Sequence, residues 1–172
     1  MTACQNRPMS RHHAPSTRAN RLLRAAGGRF SEHIYEYVEH GGTAVAADAL
    51  GVDESRVLKT LVFEDDGGHG LVVLMRGDRE VSKKDLARAL GRKRVELCPP
   101  VRAERLSGYR VGGTSPFGLK TPMPIFLDRS APEIDPIYVN GGSRGYLVGL
   151  ARADLLRLLA PTRVDATQAP DA

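Results

Sequence analysis

Apolar positions cluster in short runs separated by glycine, and the runs alternate between strand-like and helix-like spacing. Met1 to Ser16 is polar, carries prolines and shows no apolar period, which predicts a disordered tail over residues 1–16. Thr17 then caps a short helix through Leu22 and Leu23 to Ala26, ended by Gly27-Gly28. β-Branched and aromatic residues predict a strand from Phe30 to Tyr37; Gly41-Gly42 breaks it, and Thr43 caps a helix from Ala44 to Leu50 that Gly51 stops. Asp53 caps one turn, Glu54 to Arg56. The run Val57 to Phe63 and its return Leu71 to Met75 flank the turn residues Asp65-Asp66-Gly67-Gly68-His69-Gly70, which reads as a hairpin. Ser82 opens a helix over Asp85 to Leu90, Val95 to Cys98 is a short strand, and Arg102 to Leu106 a short helix. The second half predicts strands at Tyr109–Val111, Met123–Leu127, Ile137–Val139 and Tyr146–Val148, then a leucine-rich helix from Arg152 to Leu159. Beyond Pro161 the chain is polar again.

Strands that follow one another through short turns are not a β-α-β alternation. The order predicts an α/β fold of the α+β type: one domain over residues 17–160, built on a curled, mixed, mostly antiparallel, barrel-like sheet with helices outside it. Residues 161–172 are expected to form a flexible C-terminal tail. No GxGxxG follows the first strand, so a doubly wound nucleotide-binding fold is disfavoured.

Composition changes this picture in two respects. Aromatics make up 5% and tryptophan is missing, so the core must come from Leu, Val, Ile and Ala. The net charge of +5 is uneven, with Arg7, Arg11, Arg18, Arg21, Arg24 and Arg29 all preceding the first acid, Glu32. Clustered cations suit a polyanionic partner, although a solvated basic face gives the same count. Cys4 and Cys98 lack a CxxC neighbour or a His at metal spacing, which favours a reducing compartment and gives no reason to expect a metal or a cofactor. No apolar run approaches the roughly 20 residues of a membrane span, and no apolar stretch marks a secretory signal. The chain reads as cytoplasmic.

Three features carry candidate chemistry. Lys59 interrupts an apolar strand on the face shared by Val57, Leu61 and Phe63, where a buried ammonium needs an anion; an edge-strand lysine that deters aggregation is the alternative. The loop Gly112-Gly113-Thr114-Ser115-Pro116-Phe117-Gly118 can bring backbone amides close to a ligand, or it is a plain connection. The turn Asn140-Gly141-Gly142-Ser143-Arg144-Gly145 sets an amide and an arginine at its two ends. No Ser-His-Asp, HExxH or paired-carboxylate pattern competes. His33 alone falls within a strand, where packing is the commoner role.

Leu58-Lys59-Thr60-Leu61, the 112–118 loop and Tyr138-Val139-Asn140-Gly141-Gly142-Ser143-Arg144-Gly145, in that order and spacing, resemble the YbaK family, which includes the editing domain inserted in bacterial prolyl-tRNA synthetases. The resemblance runs from about Thr17 to Leu159. It implies that fold and a trans-acting aminoacyl-tRNA deacylase that clears a small misattached residue (Cys, Ala or similar) from tRNA-Pro. Mischarged tRNA would be the partner, a prolyl-tRNA synthetase a further one, and a membrane none. The family lysine carries onto Lys59 as the catalytic residue. The GxxxP motif carries onto Gly112 and Pro116, and a pocket tyrosine onto Tyr35. Thr60, Gly113, Thr114, Ser115, Asn140, Gly141, Gly142 and Arg144 complete the expected substrate-binding set. The chain departs from the family at Asn140, where a serine is usual, and at Leu147, where an acid is usual; the departures bear on which amino acid is removed. A non-catalytic tRNA- or synthetase-binding module on the same fold is the rival reading, and oligomeric state is left open.

Overall fold

A computed structural model describes residues 13–169; Met1–His12 and residues 170–172, where most of the N-terminal tail and the last of the C-terminal one were expected, lie outside the described residues. The hairpin forms as its pattern predicts. Strand β2 (Leu58–Asp65) pairs antiparallel with β3 (Gly70–Arg76), and the turn between them closes on Asp65, whose carboxylate accepts the Gly67 and His69 N–H groups. Strand β4 (Val95–Leu97) adds antiparallel beside the C-terminal end of β2. Strands β5 (Ile125–Asp128) and β8 (Thr162–Val164) add parallel beyond β3, giving the order β4-β2-β3-β5-β8. A second, antiparallel sheet has the order β1-β7-β6, from β1 (Phe30–Ile34), β6 (Ile137–Ser143) and β7 (Tyr146–Leu150).

The expected barrel is not there. The two sheets touch through an isolated parallel bridge, Val57 to Tyr138, and the larger ends at β8, a three-residue edge. Their facing surfaces enclose the main core instead: Leu58, Val62, Val72, Leu74 and Leu127 meet Ile137, Val139, Tyr146, Val148 and Leu150. The opposite face of the larger sheet packs Phe63, Leu71 and Val73 against Leu86 and Ala87 of α3 (Lys83–Ala89), which Ser82 caps.

Helix α1 (Arg18–Ala25) starts at a full capping box, with Thr17 and Asn20 bonding reciprocally. Helix α2 (Gly42–Leu50) does not use Thr43 as its cap, because that hydroxyl donates to the Glu54 carboxylate and bonds the Gly77 carbonyl oxygen instead. Helix α4 (Pro100–Ser107) starts two residues before the expected Arg102, since Pro100 suits a first helical turn. Tyr109–Val111 is not a strand. Its polar groups are satisfied locally: Ser107 Oγ accepts the Tyr109 N–H, and the Tyr109 hydroxyl donates to the Phe117 carbonyl oxygen.

The domain also does not end at residue 160. After α5 (Arg152–Leu159) the chain returns as β8, and Val164 and Ala166 are buried. Asp128, 0% exposed, fixes this segment by accepting from Ser130 N–H, Ala166 N–H and the Thr167 hydroxyl. At the other end, Ala14 packs on the core and the Pro15 carbonyl oxygen accepts from Asn20, so order begins before Thr17.

Candidate functional site: a cavity on the open edge of β2

Strand β4 covers β2 only at Phe63–Asp65, with Cys98 N–H reaching the Val62 carbonyl oxygen. Below that point the edge of β2 is bare, and a cavity of about 670 Å³ opens against it. Lys59, Thr60, Leu61 and Val62 all line it, residues of both strand faces, as expected where a ligand meets a strand edge. The second sheet contributes Asn140 and its register partner Leu147; the loop after α4 contributes Gly112 and Thr114; Tyr35 and Tyr37 close one side. Val57 and Ala46 make the wall mostly apolar.

Of the residues singled out from sequence, Tyr35, Lys59, Thr60, Gly112, Thr114, Asn140 and Arg144 meet in this cavity. Gly113, Ser115, Pro116, Gly141 and Gly142 do not line it. A Cβ on Gly113 would stand 2.7 Å from the Arg144 amide nitrogen, and a Cβ on Gly141 would strike the Tyr146 ring, so these glycines let the two loops pack behind the wall. Ser115 Oγ accepts the Phe117 N–H inside the loop, Pro116 is buried beside it, and Gly142 lines a second, smaller groove.

Lys59 lies on the Leu61 and Phe63 side of β2, as the strand period predicts, at its polar end. Its Nζ donates to the Arg79 carbonyl oxygen at 2.8 Å and to Glu80 Oε1 at 2.7 Å. The lysine side chain is 19% exposed and the glutamate 73%, so the ammonium is held by a partner that water, or another anion, can replace. Thr60 Oγ1 is buried with no hydrogen-bond partner among the described residues. The N–H groups of Gly112 and Thr114 have no bonding partner among the described residues, whereas those of Val111 and Gly113 bond Glu104 and Arg110. Arg144 stacks on Tyr37 with its guanidinium 5.0 Å from the ring centre, and its Nε donates to the Val111 carbonyl oxygen at 2.9 Å. This clasp links Tyr37 to Val111, both of which line the cavity.

Sequence reasoning passed over Tyr37, Cys98 and Glu104, which also line the cavity. Tyr37 stands two residues beyond Tyr35, a spacing that could have linked them. Burial, with the charge of Glu64, pushes the Cys98 thiol up despite Arg102, so it stays a thiol at neutral pH rather than a nucleophilic thiolate. Burial, then Tyr37, raises the Tyr35 phenol as well. His33 is outside the cavity, packed edge-on against Tyr138.

The sequence model for the aminoacyl-tRNA editing domain matches residues 39–158. An Enterococcus faecalis protein provisionally named a Cys-tRNA(Pro)/Cys-tRNA(Cys) deacylase, EbsC, is 32% identical over 143 residues, which are 83% of this chain and 87% of that protein. A proline–tRNA ligase of Nitratidesulfovibrio vulgaris is 36% identical over 121 residues, 70% of this chain but 19% of the ligase. A crystal structure described provisionally as a trans-editing enzyme for prolyl tRNA synthetase superposes with a TM-score of 0.80 at 24% identity, covering 91% of this chain and 100% of the other. The chain belongs to the aminoacyl-tRNA editing domain family.

Proposed function

We propose that the protein is a trans-acting deacylase that removes a small misattached amino acid, cysteine or alanine first among them, from tRNA-Pro. The observation that carries this reading is the apolar-walled cavity on the bare edge of β2, where Lys59 is held by a replaceable partner and the buried Thr60 Oγ1 has none among the described residues. An aminoacyl ester is already activated, so the protein needs to position it and stabilise the developing oxyanion more than it needs a nucleophile of its own.

Hydrolysis follows from that arrangement. Water adds to the ester carbonyl, negative charge develops on the carbonyl oxygen, and the tetrahedral intermediate collapses by expelling the ribose oxygen, which takes a proton. Lys59 exchanges Glu80 for the anionic substrate, and the Gly112 and Thr114 amides are available to the oxyanion. Leu147 and Ala46 favour an uncharged side chain, and Asn140 offers an amide to the substrate. With a cysteinyl ester, the substrate's own thiol can add to its carbonyl instead of water. The working compartment on this reading is the cytoplasm, where charged tRNA and prolyl-tRNA synthetase are found; among the described residues no helix is long and apolar enough to cross a membrane.

The test is a deacylation panel with purified protein and Cys-, Ala-, Ser-, Thr- and Pro-charged tRNA-Pro. Faster release of Cys or Ala than of Pro is expected. No release from any of them leaves a binding module on the same fold.

A further inference from the structure

Behind the Arg144 clasp lies a second groove of about 240 Å³, lined by Gly108, Tyr109, Arg110, Gly142, Ser143 and Arg144. Two more cations border it. Arg18, at the start of α1, and the stem of Lys120 both lie within 3 Å of where a Cβ on Gly108 would stand, at 2.8 and 2.9 Å. Arg21 is close enough, with Arg18, to oppose the burial that raises the Tyr109 phenol. The four cations Arg18, Arg110, Lys120 and Arg144 come from four separate chain segments, and none has an ion-pair partner among the described residues. Other exposed cations, Lys84, Lys93 and Arg94 among them, also lack an ion-pair partner among the described residues; what sets these four apart is that they converge from separate segments on one groove that adjoins the cavity. Among the described residues, no carboxylate lines the groove. A row of unneutralised like charges is unfavourable unless a polyanion covers it.

We infer that this groove holds the phosphodiester backbone of the single-stranded 3′ end of an RNA, leading its last nucleotide past Arg144 into the cavity. The inference rests on the deacylase reading for its direction, since Arg144 lines both spaces and the ester bond must reach Lys59. An enclosed pocket with convergent donors would suit a single small anion. An open track with cations at its border suits successive phosphates, and it carries no sequence information, as backbone contacts generally do not.

The test reads binding, not turnover. A 5′-labelled single-stranded RNA oligonucleotide ending in CCA is titrated by fluorescence anisotropy at several salt concentrations. The proteins are the unaltered chain, Arg18→Glu/Arg110→Glu/Lys120→Glu, and a charge-matched control on the α3–β4 side, Lys84→Glu/Lys93→Glu/Arg94→Glu. The groove variant is expected to weaken binding at least tenfold and to flatten the log–log salt slope by about 2, at about 0.7 per lost phosphate contact on a single strand. The control should change affinity less than about threefold, through net charge alone. Equal losses in both variants, or no loss in either, overturn the inference, as does tighter retention of a polyglutamate peptide than of the RNA. Thermal melts check folding, and Arg110→Ala, expected to weaken binding severalfold, replaces the groove variant if that one does not fold. A protein that deacylates without this groove effect sinks the track alone; one that shows the groove effect and deacylates nothing sinks only the deacylase reading.

Discussion

Asp128 and Lys59 are both charges set into strands of the same sheet, and they are treated in opposite ways. Asp128 is completely covered and receives its donors from its own chain, from Ser130, Ala166 and Thr167. Lys59 keeps an exposed glutamate and a carbonyl oxygen, beside a threonine hydroxyl with nothing to bond. A charge whose every partner is internal belongs to the fold; a charge with a displaceable partner, next to an unsatisfied group in a cavity, is set up for a ligand. The two are also connected. The backbone of residues 80–82 that presents Glu80 to Lys59 is bonded to the C-terminal segment, Gln168 N–H to Glu80 and Ser82 N–H to Ala166.

That link gives the largest expected effect. Ending the chain at Ala160 removes β8, the buried Val164 and Ala166, and two of the donors to Asp128. Loss of partners from a buried charge alone costs about 3–5 kcal/mol, so a large fall in melting temperature is expected. An unchanged melt would mean that Asp128 finds replacement donors and that the comparison is misdrawn.

Lys59→Ala should separate the two charges most clearly. The ion pair it removes has an exposed partner, so stability should stay within about 1 kcal/mol. Single-turnover deacylation should fall about a hundredfold or more, equivalent to about 2.7 kcal/mol of transition-state stabilisation. Lys59→Arg should not restore it, because a planar guanidinium does not take the place of a compact ammonium on a strand edge. Full turnover by a folded Lys59→Ala protein would place Lys59 with the aggregation-blocking strand lysines.

Asp128 also predicts a pH response. Burial opposes its charge, yet the bonds from Ser130, Thr167 and Ala166 together hold its carboxyl below the usual carboxylate range. A group whose folded pKa is lowered stabilises the protein above its unfolded pKa, about 3.9, and that contribution is lost as the pH falls through the folded value. Asp128→Asn should lower stability at pH 7 by about 1–2 kcal/mol and flatten the acid limb of a melting-temperature profile. Parallel acid limbs in the two proteins would remove Asp128 from the acid response.

How much of this could be read from residues alone depends on whether the signal was local. The hairpin, the Thr17 and Ser82 caps and the face of Lys59 were legible, because a strand period, a turn and a cap each lie within a few residues. Strand β8 was not: Thr162-Arg163-Val164 buries one side chain and is too short to show a period. Its parallel pairing with β5, like the open rather than closed arrangement of the sheets, depends on distant partners. In the cavity, Lys59 stood out as a cation in an apolar run and Leu147 only through the resemblance, while Ala46 and Val57 read as ordinary core. Gly113 and Gly141 were placed at the ligand because a glycine that admits a neighbouring ring or backbone has the same sequence signature as one that admits a substrate.

The smallest expected effect is the sharpest test of the contrast, because it concerns a single oxygen atom. Thr60→Val replaces the hydroxyl with a methyl group at nearly constant volume. On Asp128 the removal of hydrogen-bonding capacity strands three donors; on Thr60 it strands nothing, since Oγ1 has no partner. A buried hydroxyl without a bond costs about 1–3 kcal/mol by mutational measures, so part of that should be recovered and the melting temperature should hold or rise by a few degrees. If the hydroxyl is left open for the substrate, deacylation should fall by about three- to tenfold, the range of one neutral hydrogen bond at about 0.5–1.5 kcal/mol. The loss should be larger at subsaturating substrate if the bond forms on binding, and equal at all concentrations if it forms only in the transition state. A Thr60→Val protein that melts lower and turns over normally would show that the hydroxyl serves the fold, and it would leave Lys59 alone on the ligand side of the contrast.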